Sequence, residues 1–306
     1  MLCRERAPTL SLHRRGAMYD RECRHEGANT PPQRRGRKHP TTVSCVVCSY
    51  TRAVNLTHSY STSFPEGIRQ RYELREVRNA AAIINATNPE RFTDIVDVLT
   101  EFWLVTSDLV TPGGQETNLA SRLNHAFRDR GWREARVDTI ITLALRKMAY
   151  RPSGEHVPNV EETEVTNEGY RVDNMFDRIA LDVEWNAKDG NLDRDIAAYR
   201  SLYDAGLIDA AVIITRTLEL RSLAQRLGAE AGLPPSAAKK ILATTTTTNL
   251  AKLQPRVERG DGGGCPLLVI AICDRTWDNF EVEDRETAFA PLQSLLREIG
   301  EEEERQ

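Results

Sequence analysis

The sequence predicts an α/β domain built on a mixed central β-sheet flanked by helices. Three observations carry this expectation. Two short strand patterns rich in acids lie near the middle, at residues 170–176 and 178–188. After them, helix, strand, helix and strand patterns alternate as far as Ile272, the order expected of a sheet with parallel members. Before them, several stretches repeat apolar residues at three- and four-residue spacing, the helical period.

Residues 68–82 and 89–104 read as helices. Asn88-Pro89 opens the second, since proline at the first helical position gives up no needed N–H. Ile95, Val98, Leu99 and Phe102 form its stripe. A loop at 111–114 precedes a helix at 118–130, where Leu119, Leu123 and Phe127 recur every four residues and Gly131 supplies the stop. Residues 137–145 read as a strand and 152–159 as a polar loop before the acidic pair. Residues 193–205 are helical, with Ile196, Tyr199 and either Leu202 or Tyr203 inward. Residues 209–215 form a buried strand, 218–227 a helix and 266–272 a further apolar strand. The glycine run at 260–264 reads as a loop, and the threonine run at 244–248 as β-prone or disordered, with no chemistry attached.

At 306 residues the chain can bury a sizeable core. No apolar run approaches a membrane span and no hydrophobic leader opens the sequence, so a cytoplasmic location is expected. Residues 1–60 carry eleven Lys and Arg against four Asp and Glu, a net of +7; within a chain total of −4, residues 61–306 therefore carry −11. Residues 1–54 are expected to be a disordered basic extension, a composition that a start codon assigned too far upstream would equally produce; its Arg34-Arg35-Gly36-Arg37-Lys38 run could touch phosphates. A single domain over 55–299 and an acidic tail over 300–306 complete the expected organisation. Cys45 and Cys48 with scattered Cys3 and Cys23 lack the second close pair of a structural zinc site. Cys265 and Cys273 read as small core residues.

The chemistry concentrates between Tyr170 and Lys188. From Arg178 onward, Ile179, Leu181, Val183 and Trp185 alternate with Asp182, Glu184, Asn186 and Lys188. A strand sends alternate side chains to opposite faces, so a row of acid, acid, amide and amine is aimed one way, with Asp173 on the partner strand. Charged strand faces are commonly just solvated edges. Two facing carboxylates nevertheless suit a hard divalent cation and the water it activates. Asp177 is a rival to Asp173, placed poorly by its closeness to the presumed bend.

Ordered motifs extend beyond this pair. They comprise Val172-Asp173, Arg178-Ile179-Ala180-Leu181-Asp182-Val183-Glu184-Trp185-Asn186-Ala187-Lys188-Asp189, Asp193-Arg194-Asp195, Val212-Ile213-Ile214-Thr215-Arg216, Lys252-Leu253-Gln254-Pro255-Arg256 and Gly262-Gly263-Gly264-Cys265-Pro266-Leu267-Leu268-Val269, with weaker elements at Gly113-Gly114-Gln115 and Gly131-Trp132-Arg133-Glu134. Taken together, residues 55–272 resemble the BglII-type restriction endonucleases, a branch of the PD-(D/E)XK nuclease superfamily.

The resemblance implies a restriction-endonuclease-like fold and a Type II endonuclease that cuts double-stranded DNA with Mg2+, leaving 5′-phosphate and 3′-hydroxyl ends. It implies Asp173 and Glu184 as metal ligands. Asn186 stands where the wider superfamily has lysine and would orient the attacking water. Lys188 could supply the missing positive charge if the strand reaches it. A homodimer and a protecting DNA methyltransferase are implied as partners. Arg194, Arg216, Lys252, Arg256 and the Gly113-Gly114-Gln115 loop are candidate DNA contacts, with Lys239 and Lys240 beside them. A repair or phage-defence nuclease without strict sequence specificity is the alternative, and a non-enzymatic DNA-binding protein a third; the intact Asp173, Glu184 and Asn186 speak against the last.

Overall fold

A computed structural model describes residues 56–110, 118–290, 292 and 296–297. The expected basic extension, the Gly113-Gly114-Gln115 loop and the acidic tail lie outside these residues. The described part is organised on one seven-stranded mixed sheet. Its strands are β1 (Leu56–Thr57), β2 (Tyr72–Val77), β3 (Arg133–Lys147), β4 (Asn159–Phe176), β5 (Ile179–Val183), β6 (Ala210–Arg216) and β7 (Leu267–Ile272). They lie in the order β1-β2-β7-β6-β5-β4-β3. The central β5, β6 and β7 run parallel and the outer pairs antiparallel.

The parallel strands are buried on both faces, as crossover helices require. On one side Ile179, Leu181, Val183, Val212, Ile214, Leu268 and Ile270 pack in a core. That core draws on α2 (Glu66–Arg71), α3 (Ala80–Thr87), α4 (Pro89–Glu101), α5 (Thr106–Val110), α6 (Asn118–Asp129) and α8 (Leu220–Glu230), following a short α1 (Tyr60–Ser63). On the other side Ala180, Ala211, Ile213, Leu267, Val269 and Ala271 meet α7 (Gly190–Asp204) and α10 (Leu250–Arg259). A short α9 (Pro235–Ala238) packs with the first core. Each fully buried Val, Leu or Ile contributes about 1.5–3 kcal/mol. These two cores therefore fix the register of β5, which carries the acids.

Three expectations are corrected. The helix expected at 68–82 is interrupted by β2, where Tyr72, Leu74 and Glu76 point inward with period two. The inward Glu76 does not break the strand because its carboxylate accepts from Ser59 Oγ and from the backbone N–H groups of Ser59, Tyr60 and Ala81. The strand expected at 137–145 lengthens to β3, and the strand expected from 170 begins at Asn159, so that the expected loop at 152–159 is the tip of a long ribbon. There β3 and β4 pair from Lys147↔Asn159 down to the sheet, leaving Ile140, Leu143 and Leu145 exposed. The strand expected to reach Lys188 ends at Val183, because Trp185 and Asn186 turn the chain and Asn186 adopts φ 58°. An unexpected helix, α10, follows Asn249, whose side chain caps it by accepting the N–H of Lys252.

Candidate active site

The site lies where β4 and β5 separate. Their backbone pairing runs from Phe176↔Ile179 to Asn174↔Leu181. On the other edge of β4, the register against β3 shifts between Arg133↔Met175 and Ala135↔Val172, which places a bulge at Asp173-Asn174. A bulge bends its strand and re-aims a side chain. At this fork carboxylates replace the ladder: Asp182 accepts the Asp173 N–H (2.7 Å) and Asp173 accepts the Val183 N–H (3.4 Å). Asp177 sits in the turn at φ 50° and pairs with Arg91 at 3.7 Å, away from this fork.

Four acids crowd the space between the fork and α7. Asp182 and Glu184 project to the α7 side of the sheet, where Tyr199 donates its hydroxyl hydrogen to Asp182. Asp195 projects from α7 itself, and Arg194 holds its Oδ1 through Nε (3.0 Å) and Nη2 (2.9 Å). Burial raises the carboxyl pKa of Asp173, with Asp195 and Glu134 adding to it. Asp182 is pushed up to about 7, by burial first and then by the Asp173 carboxylate. Glu184 is raised as well, by burial first and then by the charge of the Asp195 carboxylate. Acids sharing so little water lower their energy by acquiring a proton or a cation.

The backbone of Glu184 is held firmly. Its N–H continues the parallel ladder to Ile214 O (2.8 Å), while its carbonyl accepts hydroxyl bonds from Thr215 and Thr248, each at 3.0 Å. Of the threonine run, expected to be β-prone or disordered, Thr247 forms a β-bridge with Lys188 and Thr248 joins the wall of the site. Asn186 Oδ1 accepts from Arg216 Nε (3.1 Å), and Arg216 Nη2 reaches Thr247 Oγ1 (3.1 Å). Lys188 is exposed and forms an isolated bridge with Thr247, so strand parity does not align it with Glu184.

Four of the candidate phosphate contacts, Arg194, Arg216, Lys252 and Arg256, are engaged within the chain. Besides Arg194 on Asp195, Arg256 grips Asp193 through two bonds, and Lys252 pairs with Asp189 at 3.1 Å. Arg216 is buried behind Asn186, where desolvation lowers its pKa to about 10, which removes it from the open surface. Lys239 and Lys240 are exposed. Cys265 and Cys273 are buried, as expected, and burial pushes the Cys265 thiol up to about 12.

Among the described residues, no three His, Cys, Asp or Glu are grouped as a ready ligand set. The donor chemistry nevertheless suits a hard cation: Glu184 Oε2 and Asp195 Oδ2 are buried acceptors with no hydrogen-bond donor among the described residues. Asp182 was read only as a member of the acidic row, and Asp195, Tyr199, Thr215 and Thr248 were not picked out as site residues by sequence. Asp195 alone left a local sign, an acid inside the apolar stripe of Leu192, Ile196 and Tyr199.

A mixed sheet flanked by helices on both faces is compatible with the restriction-endonuclease-like fold. The model of the family described as restriction endonuclease BglII/BglIII matches residues 72–272. The chain belongs to that family and is a site-specific deoxyribonuclease, a hydrolase acting on double-stranded DNA. No curated protein matches the chain. Among the described residues no helix is long and apolar enough to cross a membrane.

Proposed function

We propose that the chain is a Type II restriction endonuclease that hydrolyses both strands of DNA at a specific sequence with Mg2+, leaving 5′-phosphate and 3′-hydroxyl ends. The observation that supports this reading is the fork itself, where Asp173 of β4 meets Asp182 of β5, two residues before Glu184 at the strand end, in a family-matched sheet. Asp173 and Glu184 are the residues that would hold Mg2+. When bound, the ion neutralises phosphoryl charge and acidifies a coordinated water.

The remaining work falls to the chain. The Asn186 carbonyl oxygen is taken by Arg216, leaving its NH2 to donate to the attacking water and fix its orientation. An amide does not act as a base at neutral pH, so Asn186 positions without accepting the proton. Lys188, exposed beyond the turn, offers a cation to the phosphate. Arg194, Lys252 and Arg256, each paired with an acid on or beside α7, are the DNA-backbone contacts in this reading. A twofold site cut on both strands calls for a homodimer, and host DNA then calls for a protecting methyltransferase.

The test is digestion of unmethylated plasmid DNA with Mg2+, with EDTA and with Glu184→Ala. Discrete fragments that need both Mg2+ and Glu184 are expected. A metal-dependent smear would favour the repair or defence nuclease, and DNA binding without cleavage would overturn the enzymatic reading.

A further inference from the structure

Asp195 occupies a position that apolar residues ordinarily fill. On α7 it lies on the inward stripe with Leu192, Ile196, Tyr199 and Leu202, and only 2% of it is exposed. Burying an acid there is costly unless something compensates it. Arg194 compensates one oxygen, Oδ1, with two bonds. The other, Oδ2, has no donor among the described residues, and neither has Glu184 Oε2, on a side chain that is itself 6% exposed. Tyr199, one turn along α7 from Asp195, reaches Asp182, two residues before Glu184 on the same face, so the two carboxylates face the same gap between α7 and the end of β5. Asp173 is less free, because one of its oxygens accepts the Val183 N–H.

Two acceptor oxygens that meet in a buried space with no donor between them call for a positive charge. Arg194 holds the Asp195 carboxylate through Oδ1 and leaves Oδ2 buried without a donor among the described residues. We propose that Asp195 is a further ligand of the divalent cation, so that α7 as well as the β4–β5 hairpin carries it. This rests on the metal-dependent reading above. The consequence for mechanism is that the cation is clamped between a helix and a strand end, and its position is set by the packing of α7 on the sheet.

Cation binding without DNA tests the idea apart from activity. Calorimetric titration of the full chain with Mn2+ is compared for the wild type, Asp195→Asn and Glu184→Gln, together with thermal melting in EDTA and in Mn2+. Asp195→Asn is expected to weaken Mn2+ binding at least tenfold and to abolish the rise in Tm that Mn2+ produces. It is expected to melt no lower than the wild type in EDTA, since one of two facing acids has become neutral. Asp195→Glu, which keeps the charge, should restore part of the affinity.

Mn2+ affinity within twofold of the wild type for Asp195→Asn, with binding lost in Glu184→Gln, would overturn the proposal and leave the metal-dependent reading standing. Failure of Asp195→Asn to fold in EDTA would also overturn it, showing the carboxylate to be structural without a cation. Undiminished binding in both variants would overturn the proposal and the metal reading together.

Discussion

Asp173 and Asp182 hold the fork of the β4–β5 hairpin: the Asp182 carboxylate accepts the Asp173 N–H at 2.7 Å, and the Asp173 carboxylate accepts the Val183 N–H at 3.4 Å. Backbone pairing of the two strands ends one residue earlier, at Asn174↔Leu181. Side chains thus satisfy backbone donors where the ladder stops, and the acids stand in the gap that this leaves.

Asp173→Ala is expected to reduce cleavage at least about a hundredfold, since Asp173 is proposed to hold the cation and losing such a ligand forfeits several kcal/mol of charge stabilisation. DNA binding, measured by gel shift in Ca2+, should persist. Asp177→Ala, which touches only the turn and its pairing with Arg91, should cleave near the wild-type rate. The reverse order of effects would move the first acid of the site to Asp177.

Asn186 combines a left-handed backbone with a side chain that satisfies buried Arg216. Asn186→Ala should therefore cost stability twice, about 1 kcal/mol for the backbone and about 1–3 kcal/mol for the stranded guanidinium. Asn186→Gly removes only the backbone cost, so its Tm should lie between those of Ala and Asn. Cleavage by either variant is expected to exceed that of Glu184→Ala; equal losses would give Asn186 a larger role than orienting water.

Asp182 makes stability fall with rising pH. Its folded pKa, about 7, stands above the ordinary carboxylate value, so the folded chain binds the extra proton between the two. The contribution is fully present below the unfolded pKa, near 4, and is lost as pH rises through about 7. In EDTA, Asp182→Asn should flatten the dependence of Tm on pH over that window. Its absolute stability should drop somewhat at low pH, where the wild-type acid already serves Tyr199 and the Asp173 N–H well. An unchanged slope would assign the titration to Glu184 or Asp173.

Gly169 lets the ribbon leave the sheet. A Cβ at this position would stand 1.2 Å from the Val137 carbonyl oxygen, beside the shift between Val137↔Tyr170 and Thr139↔Asn167. Gly169→Ala should destabilise by well over the ordinary ~1 kcal/mol of a point substitution, because backbone and not a flexible side chain must yield. Thermal unfolding would show this, and a Tm within a degree of wild type would mean that the strands can re-register.

Much of the fold is legible in the chain because its elements announce themselves locally. The stripe of Ile95, Val98 and Leu99, the apolar runs of β6 and β7 and the stop at Gly131 depend on neighbours a few residues away. The failure at 72–77 has the same origin: flanking helical turns on both sides obscured a six-residue alternation whose inward Glu76 finds its partners only in the folded chain.

By itself the sequence picked out Asp173 and Glu184 as candidate acids and located parts of the strands beside them, since period-two patterning is a local property. Only the tertiary structure decided which groups meet them. Asp195 reaches Glu184 through the docking of α7, Arg216 meets Asn186 across two parallel strands, and Thr248 arrives at the Glu184 carbonyl from 64 residues away. These partners are chosen by how helices and strands pack, and packing joins residues whose spacing along the chain carries no period.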